Sequence, residues 1–266
     1  MRLAALLLLA GCAASVMPAG MVSIPAPGVE LQATYTLPSG PVMVTSVVAL
    51  HGCGGPWPAR DGQWRDLLVT AGHPVLMPDS FGSRGLGSQC SVRGRTVSPG
   101  RERRADTVAA VEWLRARPNT PAGGVVVMGW SNGGSTVLAA AAEGVLPRGS
   151  VRGFVALYPG CGAYAREAGW APSAPLLIVM GEDDDWTPAA PCRELAARFP
   201  ERIKLVLYPG AYHDFDAPGR PVTVRRGLAF TANRDGVAHA GTNPAAREAA
   251  LRDVPVWIAA LPTASP

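Results

Sequence analysis

Lysine is all but missing from these 266 residues: of 24 basic side chains, Lys204 is the single lysine and the rest are arginine. Charge of either sign is sparse at 17% of the chain, and 24 basic minus 20 acidic residues leaves +4. The arginines are scattered except at Arg101, Arg103 and Arg104, which open a helical segment and read as a solvated face. No basic run is interleaved with aromatics as in a single-strand binder, so no nucleic-acid partner is expected. No Cys-x-x-Cys pair or His/Cys cluster has metal-ligand spacing, so no metal site is expected. Beyond the N-terminus no apolar run is long enough to span a bilayer. What is present is 48% hydrophobic residues, enough for one full core, and one α/β domain is expected.

The N-terminus carries a targeting pattern. Met1-Arg2 is a positive start, and residues 3–10 form an apolar stretch too short for a spanning helix. Leu9-Ala10-Gly11-Cys12 resembles the lipobox of bacterial lipoproteins, where the chain is cut before a cysteine that then carries the lipids. The resemblance implies a signal peptide at 1–11, lipidation at Cys12, a tether at 12–22 and a folded domain at 23–266. Eleven residues are short for an export signal, and an ordinary secretory signal is the other reading. The expected location is the bacterial cell envelope, in the periplasm, with membrane contact only through a lipidated Cys12.

Four further cysteines, Cys53, Cys90, Cys161 and Cys192, are an even number in an exported chain, which favours disulfides. Their placement on loops after strands suggests Cys53 with Cys90 and Cys161 with Cys192. Strand-like runs are predicted at 31–36, 42–50, 74–78, 125–128, 153–157, 176–180 and 203–207. Helical patterns are predicted at 61–71, 101–117, 133–142 and 188–199, with a last helix from Pro244 toward Leu261 bent or broken at Pro255. Residues 81–100, rich in Gly and Ser, read as a long loop. Alternation of strand and helix predicts a mostly parallel sheet covered on both faces.

The apolar run Val125-Val126-Val127-Met128 leads into Gly129-Trp130-Ser131-Asn132-Gly133-Gly134. Gly-x-Ser-x-Gly between a strand and a helix reads as a nucleophile elbow, a turn so sharp that the serine hydroxyl stands exposed. Gly129 and Gly133 let the two backbones approach. Serine needs a base, and only His51, His73, His213 and His239 are available. In elbow hydrolases the base follows nucleophile and acid in the chain, which leaves His213 and His239. His213 lies on the loop leaving the last strand, whereas His239 lies in a flexible stretch with no strand before it. The acid belongs after the preceding strand, in Gly181-Glu182-Asp183-Asp184-Asp185. Asp183 and Asp184 are not separable on this ground.

These pieces together resemble the dienelactone hydrolase family of α/β-hydrolases, from about residue 42 to 215. The carrying residues are His51-Gly52-Cys53-Gly54-Gly55, the elbow, Gly181 to Pro188, and Tyr212-His213-Asp214-Phe215. The resemblance implies the α/β-hydrolase fold and, through the family pattern Gly-x-x-Asp-x-x-x-Pro, Asp184 as the acid. It implies an oxyanion hole from the amides of Asn132 and Cys53. The family's namesakes use a cysteine nucleophile, so Ser131 is a departure and their substrate preference does not transfer. His51 is expected to pack beneath its loop.

The function expected is cleavage of a small carboxylic ester or lactone by a Ser131-His213-Asp184 triad, with no cofactor. Trp57, Trp130, Tyr158, Trp186 and Tyr212 fall near the site and suit either an acyl pocket or ordinary packing. Two alternatives share the sequence features: an amide- or peptide-cleaving hydrolase, and an inactive envelope binding module.

Overall fold

The computed structural model describes residues 20–40, 45–118, 120 and 124–262. The expected signal peptide, Cys12 and most of the expected tether lie outside them, as do positions 42–44 of the second expected strand. Eight strands form one sheet: β1 (Gly20–Ala26), β2 (Val29–Thr36), β3 (Ser46–Leu50), β4 (Val75–Pro78), β5 (Val125–Trp130), β6 (Val151–Leu157), β7 (Leu176–Gly181) and β8 (Ile203–Tyr208). Their order is β1-β2-β4-β3-β5-β6-β7-β8. β1 and β2 pair as an antiparallel hairpin turned at Gly28 (φ 75°), and β2 runs antiparallel to β4. Every other pair in the sheet is parallel.

The fully apolar runs become the middle of the sheet. β3, β5 and β7 are buried along their whole length, as strands covered on both faces must be. The edge strand β8 is only partly buried and carries the exposed Lys204. The helices are α1 (Pro58–Thr70), α2 (Glu102–Arg115), α3 (Asn132–Ala141), α4 (Gly162–Arg166), α5 (Ala190–Arg198) and α6 (Pro244–Ala260). α2 packs on α3 and α1 on α6, giving the expected α/β-hydrolase layering.

Several local expectations change. β1 takes in Gly20 to Val22, which the sequence assigns to the tether. α6 runs through Pro255 without a break, because Val254 and Ile258 on either side are both buried against the core. Asn243 caps it, accepting from the Ala246 N–H at 3.1 Å. Cys192 lies on α5 and not on a loop. A second sheet of β9 (Thr223–Arg225) and β10 (Ala238–Ala240) has no counterpart in the sequence reading, its strands being too short to show a period. His239 belongs to β10, so its segment is ordered pairing and not a flexible stretch.

Candidate active site

β5 ends at Trp130 and α3 starts at Asn132, so Ser131 alone makes the turn. Its φ of 54° and ψ of −115° lie where L-residues rarely go and cost about 1–3 kcal/mol. Glycines make the turn possible by close approach. A Cβ on Gly133 would stand 2.1 Å from the Leu50 carbonyl oxygen, and one on Gly129 would meet the Gly133 carbonyl at 2.6 Å. Any other residue at either position would force strand and helix apart.

The loops after β7 and β8 reach the same edge. Ser131 Oγ lies 2.8 Å from His213 Nε2, and His213 Nδ1 lies 2.8 Å from Asp184 Oδ2. Asp184 is buried while Asp183 is exposed, which separates two acids that the residues alone left level. The Asp184 carboxylate is held firmly. Its Oδ1 accepts from the N–H groups of Trp186 (2.9 Å) and Thr187 (2.8 Å), and Thr187 Oγ1 stands 3.0 Å from Oδ2. The His213 ring is boxed between Trp186 and Tyr158, with centroids 4.6 and 4.7 Å away. Burial disfavours a charge on this ring, but Asp184, through its charge and hydrogen bond, and Asp214 outweigh it and raise the His213 pKa. With Nδ1–H donated to Asp184, Nε2 is left to accept the Ser131 hydroxyl proton.

A cleft of about 280 Å³ opens over Ser131 and His213. Cys53, Trp57, Trp186, Arg60, Arg220 and Arg225 help to line it. Asn132 is the first residue of α3, so its N–H has no acceptor in a preceding turn. The Cys53 N–H makes no hydrogen bond among the described residues. Both cysteine pairs form as expected, Cys53 with Cys90 and Cys161 with Cys192. Of the five aromatics noted in the sequence, Trp57 and Trp186 line this cleft. Trp130 and Tyr158 are fully buried, and Tyr212 stacks on His239 at 4.9 Å.

Three features under and beside the site escape sequence reading. Asp216, fully buried, accepts from the indoles of Trp64 (2.7 Å) and Trp130 (3.1 Å) and from the Tyr158 hydroxyl (2.7 Å). Burial raises its pKa, against the pull of Arg60 and of the hydrogen bonds from Tyr158 and Trp64. Asp185 pairs with His239 at 2.7 Å and fastens the β9–β10 hairpin beside the acid loop. Arg103 corrects the solvated-face reading: it is 1% exposed, while Arg101 and Arg104 are exposed as expected. His51 packs beneath its loop, Nδ1 donating to the Gly52 carbonyl (2.8 Å) and Nε2 accepting from the Ser80 N–H (3.2 Å). Burial, with Arg103 close by, holds its pKa well below the usual value. Among the described residues no three His, Cys, Asp or Glu side chains are grouped to hold a metal ion.

The mostly parallel sheet, the strained serine turn at the end of β5 and the acid and histidine after β7 and β8 define an α/β-hydrolase. The profile of the dienelactone hydrolase family matches residues 31–261, and the chain belongs to that family. Among solved structures it is similar to a dienelactone hydrolase-like promiscuous phosphotriesterase from metagenomic libraries, at 17% identity and TM-score 0.69 over 93% of this chain and 99% of that one. The esterase domain of a Rhodothermus marinus protein shares 18% identity, with TM-score 0.60 over 92% and 99%. A dienelactone hydrolase of Anabaena variabilis shares 23%, with TM-score 0.58 over 76% and 90%. At these identities the likeness is one of fold. No curated protein matches the chain in sequence.

Proposed function

We propose that this hydrolase cleaves a small carboxylic ester or lactone through a serine-bound acyl-enzyme. The observation that carries the reading is the unbroken series Ser131 Oγ, His213 Nε2 and Nδ1, Asp184 Oδ2, at 2.8 Å for each contact. In the first step His213 takes the Ser131 proton as Oγ attacks the acyl carbon, and Asp184 stabilises the imidazolium. The amides of Asn132 and Cys53 face the oxygen that gains charge. His213 then protonates the leaving alkoxide, and a water molecule repeats the cycle on the acyl-enzyme. Serine here does what the family's namesakes do with cysteine, and it depends more heavily on its base because a hydroxyl ionises less readily than a thiol.

The chain is further proposed to act outside the cytoplasm. Two disulfides suit an oxidising compartment, and among the described residues no helix is long and apolar enough to cross a membrane. Cys12, outside the described residues, is the proposed lipid anchor; incorporation of labelled palmitate, abolished by Cys12→Ser, tests it.

The function is tested by labelling purified protein with a fluorophosphonate and by assaying matched 4-nitrophenyl esters and anilides. Labelling lost in Ser131→Ala, with esters turned over far faster than anilides, supports the reading. A folded wild type that takes no label points to a binding module, and anilides cleaved as fast as esters point to an amidase.

A further inference from the structure

Arg103 faces inward with Asp106, Thr107, Ala110, Val111 and Leu114, one stripe of α2 at helical spacing. At the end of that stripe its guanidinium reaches two separate loops. One Nη donates to Asn132 Oδ1 on the elbow, and the other donates to the His51 carbonyl at 2.8 Å. The Phe81 ring lies 5.0 Å from its Cζ. No carboxylate neutralises it: Arg103 forms no ion pair among the described residues, and Asp106 is held by Arg84 at 2.7 and 2.8 Å. Asp106 and Asp79 act on it only at longer range. Its Nε has no acceptor among the described residues.

An unpaired guanidinium in the interior is costly, and a hydrophobic residue of similar size would usually be the more stable choice. Its donors therefore mark what it is kept for. They grip the side chain of Asn132 and the carbonyl two residues before Cys53, the same loops whose amides the proposed function assigns to the oxyanion. Burial pulls the guanidinium down to about 9, which leaves it protonated at neutral pH.

We infer that Arg103 is a positioning residue for the oxyanion site, tying the elbow to the 51–53 loop and holding a positive charge behind both amides. This rests on the serine-hydrolase reading. Preorganised donors and charge act where negative charge develops, so their loss lowers kcat and spares ground-state binding. Arg103 acts through Asn132 and Cys53, and its removal is expected to cost somewhat less than a whole oxyanion donor, which is worth on the order of 100-fold or more.

The test compares wild type with Arg103→Met and Arg103→Lys, reading ester kcat and KM, melting temperature, and affinity for an arylboronic acid that forms a tetrahedral anion on the serine. For Arg103→Met, kcat is expected to fall roughly 10- to 100-fold with KM within about threefold. Boronate affinity falls in parallel, and the melting temperature is unchanged or higher. Arg103→Lys, which keeps the charge but not the two-pronged grip, lies between. Wild-type kcat and boronate affinity in folded Arg103→Met overturn the inference, even if stability drops. Should Arg103→Met fail to fold, Asn132→Ala cuts the same bridge from the other end and keeps the backbone amide. A kcat loss of about tenfold then supports the inference, and wild-type kcat overturns it. A wild type that neither hydrolyses esters nor takes a fluorophosphonate overturns the serine-hydrolase reading first, and this inference with it.

Discussion

The carboxylate of Asp216 accepts a hydrogen bond from the indole of Trp130 at 3.1 Å, across 86 residues of chain. Trp130 precedes the candidate nucleophile by one residue, and Asp216 follows the candidate base by three. One buried acid thus anchors the loop of His213 to the strand end that presents Ser131. Trp64 and Tyr158 complete its shell.

Replacing Asp216 by alanine leaves three buried donors without an acceptor. At about 1–3 kcal/mol for each orphaned group, a loss of about 3 kcal/mol or more is expected. That corresponds to a melting temperature lower by roughly 6–12 °C. Asp216→Asn keeps one acceptor oxygen and should recover part of the loss. Thermal denaturation of both variants decides the matter, and a shift below 2 °C in Asp216→Ala speaks against this anchoring role.

Asp184→Asn keeps the shape of the triad but can hold His213 in the wrong tautomer, with Nε2 protonated and unable to accept from Ser131. The kcat for a good ester is expected to fall by roughly 10⁴. KM should stay within a few-fold, since the carboxylate faces His213 and not the cleft. Stopped assays of ester turnover suffice, and a fall under tenfold would remove Asp184 from its proposed role.

The pH profile follows from the raised pKa of His213. Only the neutral ring accepts a proton, so kcat/KM should rise with pH through a midpoint above 6.5 and hold at more alkaline values. Stability runs the opposite way. A folded pKa above the unfolded one means that the ion pair with Asp184 contributes fully below about 6.5 and is lost as pH rises through the folded value. Chemical denaturation of Ser131→Ala at several pH values, beside Ser131→Ala with His213→Gln, isolates that increment. A kinetic midpoint below 6.5 contradicts the assigned electrostatics.

Arg220 and Arg225 line the cleft, are half-buried, and form no ion pair among the described residues. Charge-assisted hydrogen bonds contribute about 1.5–3 kcal/mol when partly sheltered, so esters bearing a free carboxylate should react about tenfold faster in kcat/KM than neutral ones of equal size. Arg220→Ala with Arg225→Ala should erase that preference. Comparing a succinate monoester with a butyrate ester, in low and high salt, measures it. Equal losses for both substrates would mean that the arginines shape the cleft without reading charge.

Much of the fold was legible because its signals are local. The continuous apolar runs at 125–128 and 176–180 could only be strands covered on both faces, and β5 and β7 are that. The elbow showed itself because two glycines bracket one serine where backbones must nearly touch. The two cysteine pairings are suggested by placement on loops after strands and both form, although Cys192 lies on a helix. The β9–β10 hairpin was not legible, since three-residue strands are too short for a period and are set by the loops they clasp. At Pro255 the local signal does not end the helix: of the bend or break it suggests, the break is absent where both flanking turns are buried.

The order of side chains along the polymer determined by itself which chemistry could be assembled, a serine turn followed by an acid-rich loop and then a histidine. Three-dimensional packing decided which members of each set come together. Asp184 and not Asp183 turns inward, Arg103 is drawn from a basic cluster into the interior, and His239 goes to Asp185 instead of the serine. The reason is physical: a residue's type limits what it can bond, but burial and partners come from segments tens of residues away, and those distances close only when the chain folds.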